Sequence, residues 1–175
     1  MNITDIIKTA AGILIVAVSL CSAPAAEAQG HKGEKAFGPR IGYVSRNQSA
    51  LGGLSFQYSF SDHVRIAPSA DIIFRHHDKD GLAVNADVHF PFYFAEGRAA
   101  FYPLAGFNFT SWGLHDSHNE SGKDVTTHST NAGLNAGAGV ELRCTTSLKL
   151  GLEARYTLMR HYPTAAVAAS IAFVF

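Results

Sequence analysis

The sequence predicts an all-β chain folded as an eight-stranded antiparallel up-and-down transmembrane β-barrel, and three observations carry that expectation. The first is the closing stretch from Thr164 to Phe175. Read as a strand, it sends Ala165, Val167, Ala169, Ile171, Phe173 and Phe175 to one side and Ala166, Ala168, Ser170, Ala172 and Val174 to the other, with no charge on either face. A soluble sheet buries one apolar face and usually charges the other. The second is that segments of the same period recur along the chain, each long enough for a tilted crossing of a hydrocarbon layer. The third is that the connections alternate between short turns and longer polar loops, as the two sides of a transmembrane barrel do.

The elements follow in order. Phe37 to Ser45 sets Ile41 and Tyr43 against Arg40, Gly42 and Val44, and Arg46 to Ser49 turns it. Leu51 to Phe60 sets Leu54, Phe56, Tyr58 and Phe60 against Gly53, Ser55, Gln57 and Ser59. After the short turn at Ser61 to His63, Val64 to Arg75 opposes Val64, Ile66, Ala70, Ile72 and Phe74 to Arg65, Ser69, Asp71 and Arg75. His76 to Gly81 reads as a charged loop. Leu82 to Phe94 is the clearest alternation, with Asn85, Asp87, His89 and Tyr93 on its polar side. Ala99 to Trp112 carries Phe101, Phe107 and Phe109, and Leu114 to Thr130 is the longest polar stretch, read as a loop. Asn131 to Arg143 and Leu148 to Met159 complete the series before the closing strand, which is expected to pair with the first.

The aromatics sort by height. Tyr58, Phe60, Phe92, Phe94, Phe101, Phe173 and Phe175 fall at the short-turn edge, and Phe74, Phe107, Phe109 and Tyr156 at the other, as two girdles would. The polar faces then line a lumen that eight strands make only wide enough for side chains. Gly133, Gly137, Gly139 and Gly151 leave room there for the long residues Gln57, His89, Tyr93, Glu153 and Arg155. Charges enclosed in this way must pair, so Arg40, Asp71, Asp87, Glu141, Glu153 and Arg155 are expected to form a lumen charge network.

The first residues stand outside this fold. Lys8, the apolar run Ala10 to Leu20 and Ala26-Glu27-Ala28 form an export signal, with cleavage expected after Ala28. The domain plan is therefore residues 1–28 removed, 29–36 a short periplasmic segment, and 37–175 the barrel. Cys21 raises a lipoprotein alternative, against which the bulky Leu20 stands where a small residue is required. Only Cys144 would remain in the processed chain, as an inert thiol near a turn. With 14 Lys+Arg against 14 Asp+Glu, the composition suggests no nucleic-acid partner.

The stretches Tyr102-Pro103-Leu104-Ala105-Gly106, Gly133 to Leu142 and Leu148 to Tyr156, with the terminal Phe175, resemble the small bacterial outer-membrane β-barrel proteins labelled porin-like or opacity-like. The chain is similar in size and strand count to OmpX and OmpA barrel domains. That resemblance implies the outer membrane of a Gram-negative bacterium, with lipid, lipopolysaccharide and the barrel assembly machinery as partners and an extracellular ligand of unknown identity. It implies that Val167, Ile171, Phe173 and Phe175 act as the assembly signal, and it covers adhesion, stress-resistance and structural roles.

Three features invite a sharper reading. His115-Asp116-Ser117-His118 with Glu120 matches the His-x-Ser pair of lipid A deacylases, but it lies in the expected loop, where no strand holds base and nucleophile together. His115, His118 and His128 among Asp116, Glu120 and Asp124 could ligate a divalent metal, as could His76 and His77 with Asp78 and Asp80; polar loops collect such residues by composition alone. Pro68, Pro91 and Pro103 interrupt three successive strands, which reads as a bulge near the periplasmic rim in preference to the lateral lipid-access seam of an outer-membrane palmitoyltransferase. The expectation is a non-enzymatic barrel without cofactor or metal, in a structural or surface-interaction role. The alternatives are a lipid A-modifying hydrolase or acyltransferase and a narrow ion-conducting pore.

Overall fold

A computed structural model describes residues 32–46, 48–76, 79–116, 125–159 and 163–175. Among the described residues nine strands run in chain order: β1 (Lys35–Val44), β2 (Ser49–Ser61), β3 (Val64–His76), β4 (Lys79–His89), β5 (Phe92–Phe94), β6 (Ala99–Asp116), β7 (Val125–Thr145), β8 (Leu148–Met159) and β9 (Thr164–Val174). β4 and β5 both pair with β6 and are the two halves of one crossing, so the strands make eight crossings. Every neighbouring pair is antiparallel, and β9 closes against β1 with Phe37 opposite Phe173 and Tyr43 opposite Val167. Closure leaves no sheet edge within the wall, which a backbone crossing lipid requires.

Burial alternates residue by residue, and the alternation sorts the chemistry. Ile41, Leu54, Ile72, Phe74, Val84, Phe107, Phe109, Leu134, Tyr156, Ile171 and Phe173 point out. Arg40, Arg65, Asp71, Asn85, Asp87, His89, Asn108, Asn135 and Arg155 point in and are buried. A sheet that turns its large apolar side chains outward and its ionisable ones inward is inverted relative to a soluble domain, and lipid is the solvent that stabilises it. The two aromatic girdles are exposed as expected, from Phe60, Phe92, Phe94, Phe101 and Phe173 at the short-turn end to Phe74, Phe107, Phe109 and Tyr156 towards the other.

The proline expectation is corrected. His89 pairs with Leu104 and Phe92 with Phe101, so the register is the same on both sides of Pro91 and no residue is inserted. The ladder skips Phe90 and Pro91, while Phe90 N still donates to Pro103 O at 3.0 Å. Pro68 and Pro39 likewise stand where pairs are missing without a shift, and Pro103 keeps its place opposite Ala138. A proline deletes a donor but not a position, so the inward and outward alternation survives it. The register shifts that do occur lie near strand ends, at Ser59/Ser61, Ile73/His76 and Arg143/Thr145.

The long polar loop is corrected as well. β6 and β7 remain paired out to Asp116 opposite Val125, and β3 and β4 come as close as His76 opposite Lys79. The Val125 to Thr130 run is rich in β-branched residues, which suit a strand even where no apolar face is needed. Sequence periodicity finds only the part of a strand that has two different environments to face. β1 also begins two residues earlier than the planned boundary, at Lys35.

Ala154 sits at the middle of β8 on the outer face, between Ala138 and Val167. Replacing it by Arg should lower the unfolding free energy in lipid vesicles by about 2–4 kcal/mol, the cost of a charge near the bilayer midplane. An unchanged urea midpoint would place this face away from hydrocarbon.

Candidate functional site: the lumen

The inward side chains stack into four levels. At the short-turn end, Glu34 accepts from Lys149 Nζ at 2.8 Å and pairs with Arg143, while Glu141 takes Arg65 at 2.6 Å and Lys149 at 3.8 Å. Gln57 Oε1 accepts from the same ammonium at 3.2 Å. Mid-barrel, Arg155 Nη2 lies 3.0 Å from Asp87 and 2.6 Å from Glu153, and Arg40 lies 3.3 Å from both Asp71 and Glu153. The lower group holds three cations and two anions, the central one two cations and three anions, so the imbalances oppose each other.

Tyr102 and His89 occupy the level between the two groups. The Tyr102 ring lies where a side chain on Gly139 would be, stacks on His89 with centroids 4.5 Å apart, carries the Arg65 guanidinium 4.7 Å above its face, and donates to Glu153 at 3.4 Å. Gly139 is therefore needed for an aromatic from the neighbouring strand, and only a residue without Cβ admits it there.

Above the central charges is an amide layer. Asn85 donates to Asp71 at 3.1 Å and Asn135 to Asp87 at 2.8 Å, while Asn85 Oδ1 accepts from both Asn108 and Asn135. Thr157 and Thr110 complete the acceptors of Asn135 and Asn108, each at 2.8 and 2.7 Å respectively. These amides give the carboxylates hydrogen bonds that a dry interior would otherwise deny them. Beyond that layer, at the end opposite the short turns, Val44, Leu51, Ile73, Ala83 and Ala168 form an apolar cluster with Trp112 and Ala166 packed against it.

The expected charge network is thus divided. Arg40, Asp71, Asp87, Glu153 and Arg155 are brought together, but Glu141 belongs to the lower group and meets Arg65. Sequence reasoning missed Tyr102, the asparagine layer and the apolar cap. Parity along the strands puts Val44, Asn85 and Asn135 on the polar side, but nothing in one strand names its partner two strands away. Val167, Ile171, Phe173 and Phe175 lie on the outer face of β9 and its end, where Phe175 N donates to Lys35 O at 2.9 Å. Of the His-x-Ser and metal candidates, His115 and His128 lie on paired strand ends, while Ser117, His118, Glu120 and Asp124 fall outside the described residues, as do His77, Asp78 and the leader with Cys21. Among the described residues no group of three or more His, Cys, Asp and Glu forms a metal-binding cluster.

Replacing Arg155 by Met should destabilise the barrel by about 3–5 kcal/mol, because Asp87 and Glu153 stay buried with one cation fewer. The Arg155→Met/Asp87→Asn double variant should lose less than the single one. Trp112, the chain's one tryptophan, reports both unfolding transitions by fluorescence, and a double variant weaker than the single one would refute the pairing.

Comparison with known proteins agrees with this architecture. Among solved structures, the N-terminal β-barrel domain of Pseudomonas aeruginosa OprF superposes with a TM-score of 0.67 at 16% identity, covering 84% of this chain and 100% of that one. Ail, the attachment invasion locus protein of Yersinia pestis, gives 0.60 at 14% identity over 82% of this chain and 99% of that one. OprG, an outer membrane protein of P. aeruginosa, gives 0.60 at 11% identity over 82% and 96%. These likenesses establish the fold. No curated protein matches by sequence. The family model described as the outer membrane protein beta-barrel domain matches residues 13–173, and the chain belongs to that family of outer-membrane proteins.

Proposed function

We propose that this protein is a structural and surface-interaction barrel of the outer membrane that works through its outer hairpins and carries no solute. The filled lumen is the observation that supports this reading most: two ion-pair groups, an amide layer and an apolar cap follow one another along the axis, and the cavity beside Glu153 measures only about 10 Å³. An ion crossing this column would have to break several enclosed pairs at once. The non-enzymatic reading rests on the same ground, since among the described residues the cavity beside Glu153 has room for about one water.

The β6–β7 hairpin supports the surface role. β4 begins at Lys79 opposite Leu114 and β8 ends at Met159 opposite Gly133, yet β6 and β7 pair beyond both, to Asp116 and Val125. Short turns face the periplasm in such barrels, so this projection stands on the outside. Ail is named for attachment and invasion and was solved with the heparin analogue sucrose octasulfate. Lipid and lipopolysaccharide would cover the apolar wall, and the barrel assembly machinery would read the outer face of β9 through Val167, Ile171, Phe173 and Phe175.

Cutting the hairpin back to Gly113 and His128 with a tight turn should leave a heat-modifiable barrel of unchanged gel mobility while removing its binding to host-cell and sulfated-glycan surfaces. Binding retained in full would defeat the hairpin reading. Planar-bilayer recording of the intact protein should give no sustained conductance, and a steady ion-selective current would establish a pore instead. Lipid A mass spectra from strains with and without the gene should be the same; a missing or added acyl chain would establish an enzyme.

A further inference from the structure

His89 stands at the junction of the two charge groups with one ring nitrogen assigned and the other unpartnered. Arg65 Nε donates to its Nδ1 at 3.3 Å. A guanidinium has no acceptor, so Nδ1 must offer its lone pair, and the neutral ring carries its proton on Nε2. That Nε2 is buried with no hydrogen-bond partner, on a residue 2% exposed. The acceptor it faces is Glu153 Oε2 at 3.7 Å, too far for a direct bond. Glu153 spends Oε1 on Arg40 and Arg155, and Oε2 receives only the long 3.4 Å contact from Tyr102.

His89, Tyr102, Glu153, Ala67 and Ser170 all line one lumen cavity of about 10 Å³, the space of roughly a single water. We propose that this cavity is a resident water site, in which one water accepts from His89 Nε2–H and donates to Glu153 Oε2, with the Tyr102 and Ser170 hydroxyls as its other neighbours. The chemistry of the wall selects water over an ion. Arg40, Arg155 and an N–H donor repel a cation, and the Glu153 carboxylate repels an anion. A water both accepts and donates, and so satisfies the histidine and the carboxylate together. Through it the Arg65–Glu141 group and the Arg155–Glu153 group, which carry opposite imbalances, become one hydrogen-bonded network.

The test is solid-state NMR of the barrel in lipid bilayers with ring-15N-labelled histidine, His89 being assigned by the signal that disappears in His89→Gln. His89 should show the Nε2–H tautomer and a cross-peak from water to Hε2. An Nδ1–H tautomer, or an Hε2 signal without a water cross-peak, overturns the proposal. Ala67→Leu fills the cavity while leaving both polar partners unsubstituted and should lose the cross-peak while keeping the tautomer; persistence of the peak in the folded variant also overturns it. Should Ala67→Leu not fold, the unmutated spectrum still decides.

Discussion

A charge enclosed by eight strands has neither bulk water nor lipid headgroups to solvate it, and the rest of this structure answers to that constraint. Glu153 meets it with Arg155 at 2.6 Å and Arg40 at 3.3 Å, and Arg155 in turn serves Asp87 from a different strand. Arg155 and Glu153 share β8, whereas the Arg40–Glu153 and Arg155–Asp87 pairs join strands that are not neighbours in the wall. The ladders hold the cylinder together around its circumference, whereas the ion pairs brace it across its diameter and so resist collapse or shear. A narrow barrel with an apolar core would have needed no such pairing, but it would also have hidden no polarity from lipid.

The levels along the axis follow from the same constraint. Carboxylates in excess at the centre are met by amide donors from Asn85 and Asn135, and the amides' own oxygens are satisfied by Asn108, Thr157 and each other. Past the amide layer the lumen ends in Leu51, Ile73 and their neighbours. At that end β6 and β7 stay paired beyond both of their neighbours.

Proline placement shows how strictly the two-sided environment governs the wall. Three positions lose ladder pairs around Pro39, Pro68 and Pro91, and in none does the register move. Shifting one residue would have carried His89 or Asp87 into lipid and a phenylalanine into the lumen, a penalty far above that of a missing hydrogen bond. Bulges are confined to strand ends, where both sides meet water or headgroups.

How much was legible in advance divides along the same line. Period-two alternation by itself determined the strand count, the outward apolar set, the inward polar set and the closing role of the last strand, because each strand must satisfy lipid on one side whatever its neighbours do. It also placed Arg40, Asp71, Asp87, Glu153 and Arg155 inside. It failed at 114–116 and 125–130, which pair as strand although their polar sequence carries no period. Only the tertiary structure decided which charges meet, that Glu141 serves Arg65 and not the central group, that Tyr102 fills the space over Gly139, and that a cap closes the outer end. Those outcomes depend on register and stagger between strands far apart in sequence, and a single strand's pattern holds information about its two faces but none about the residue it will face across the lumen.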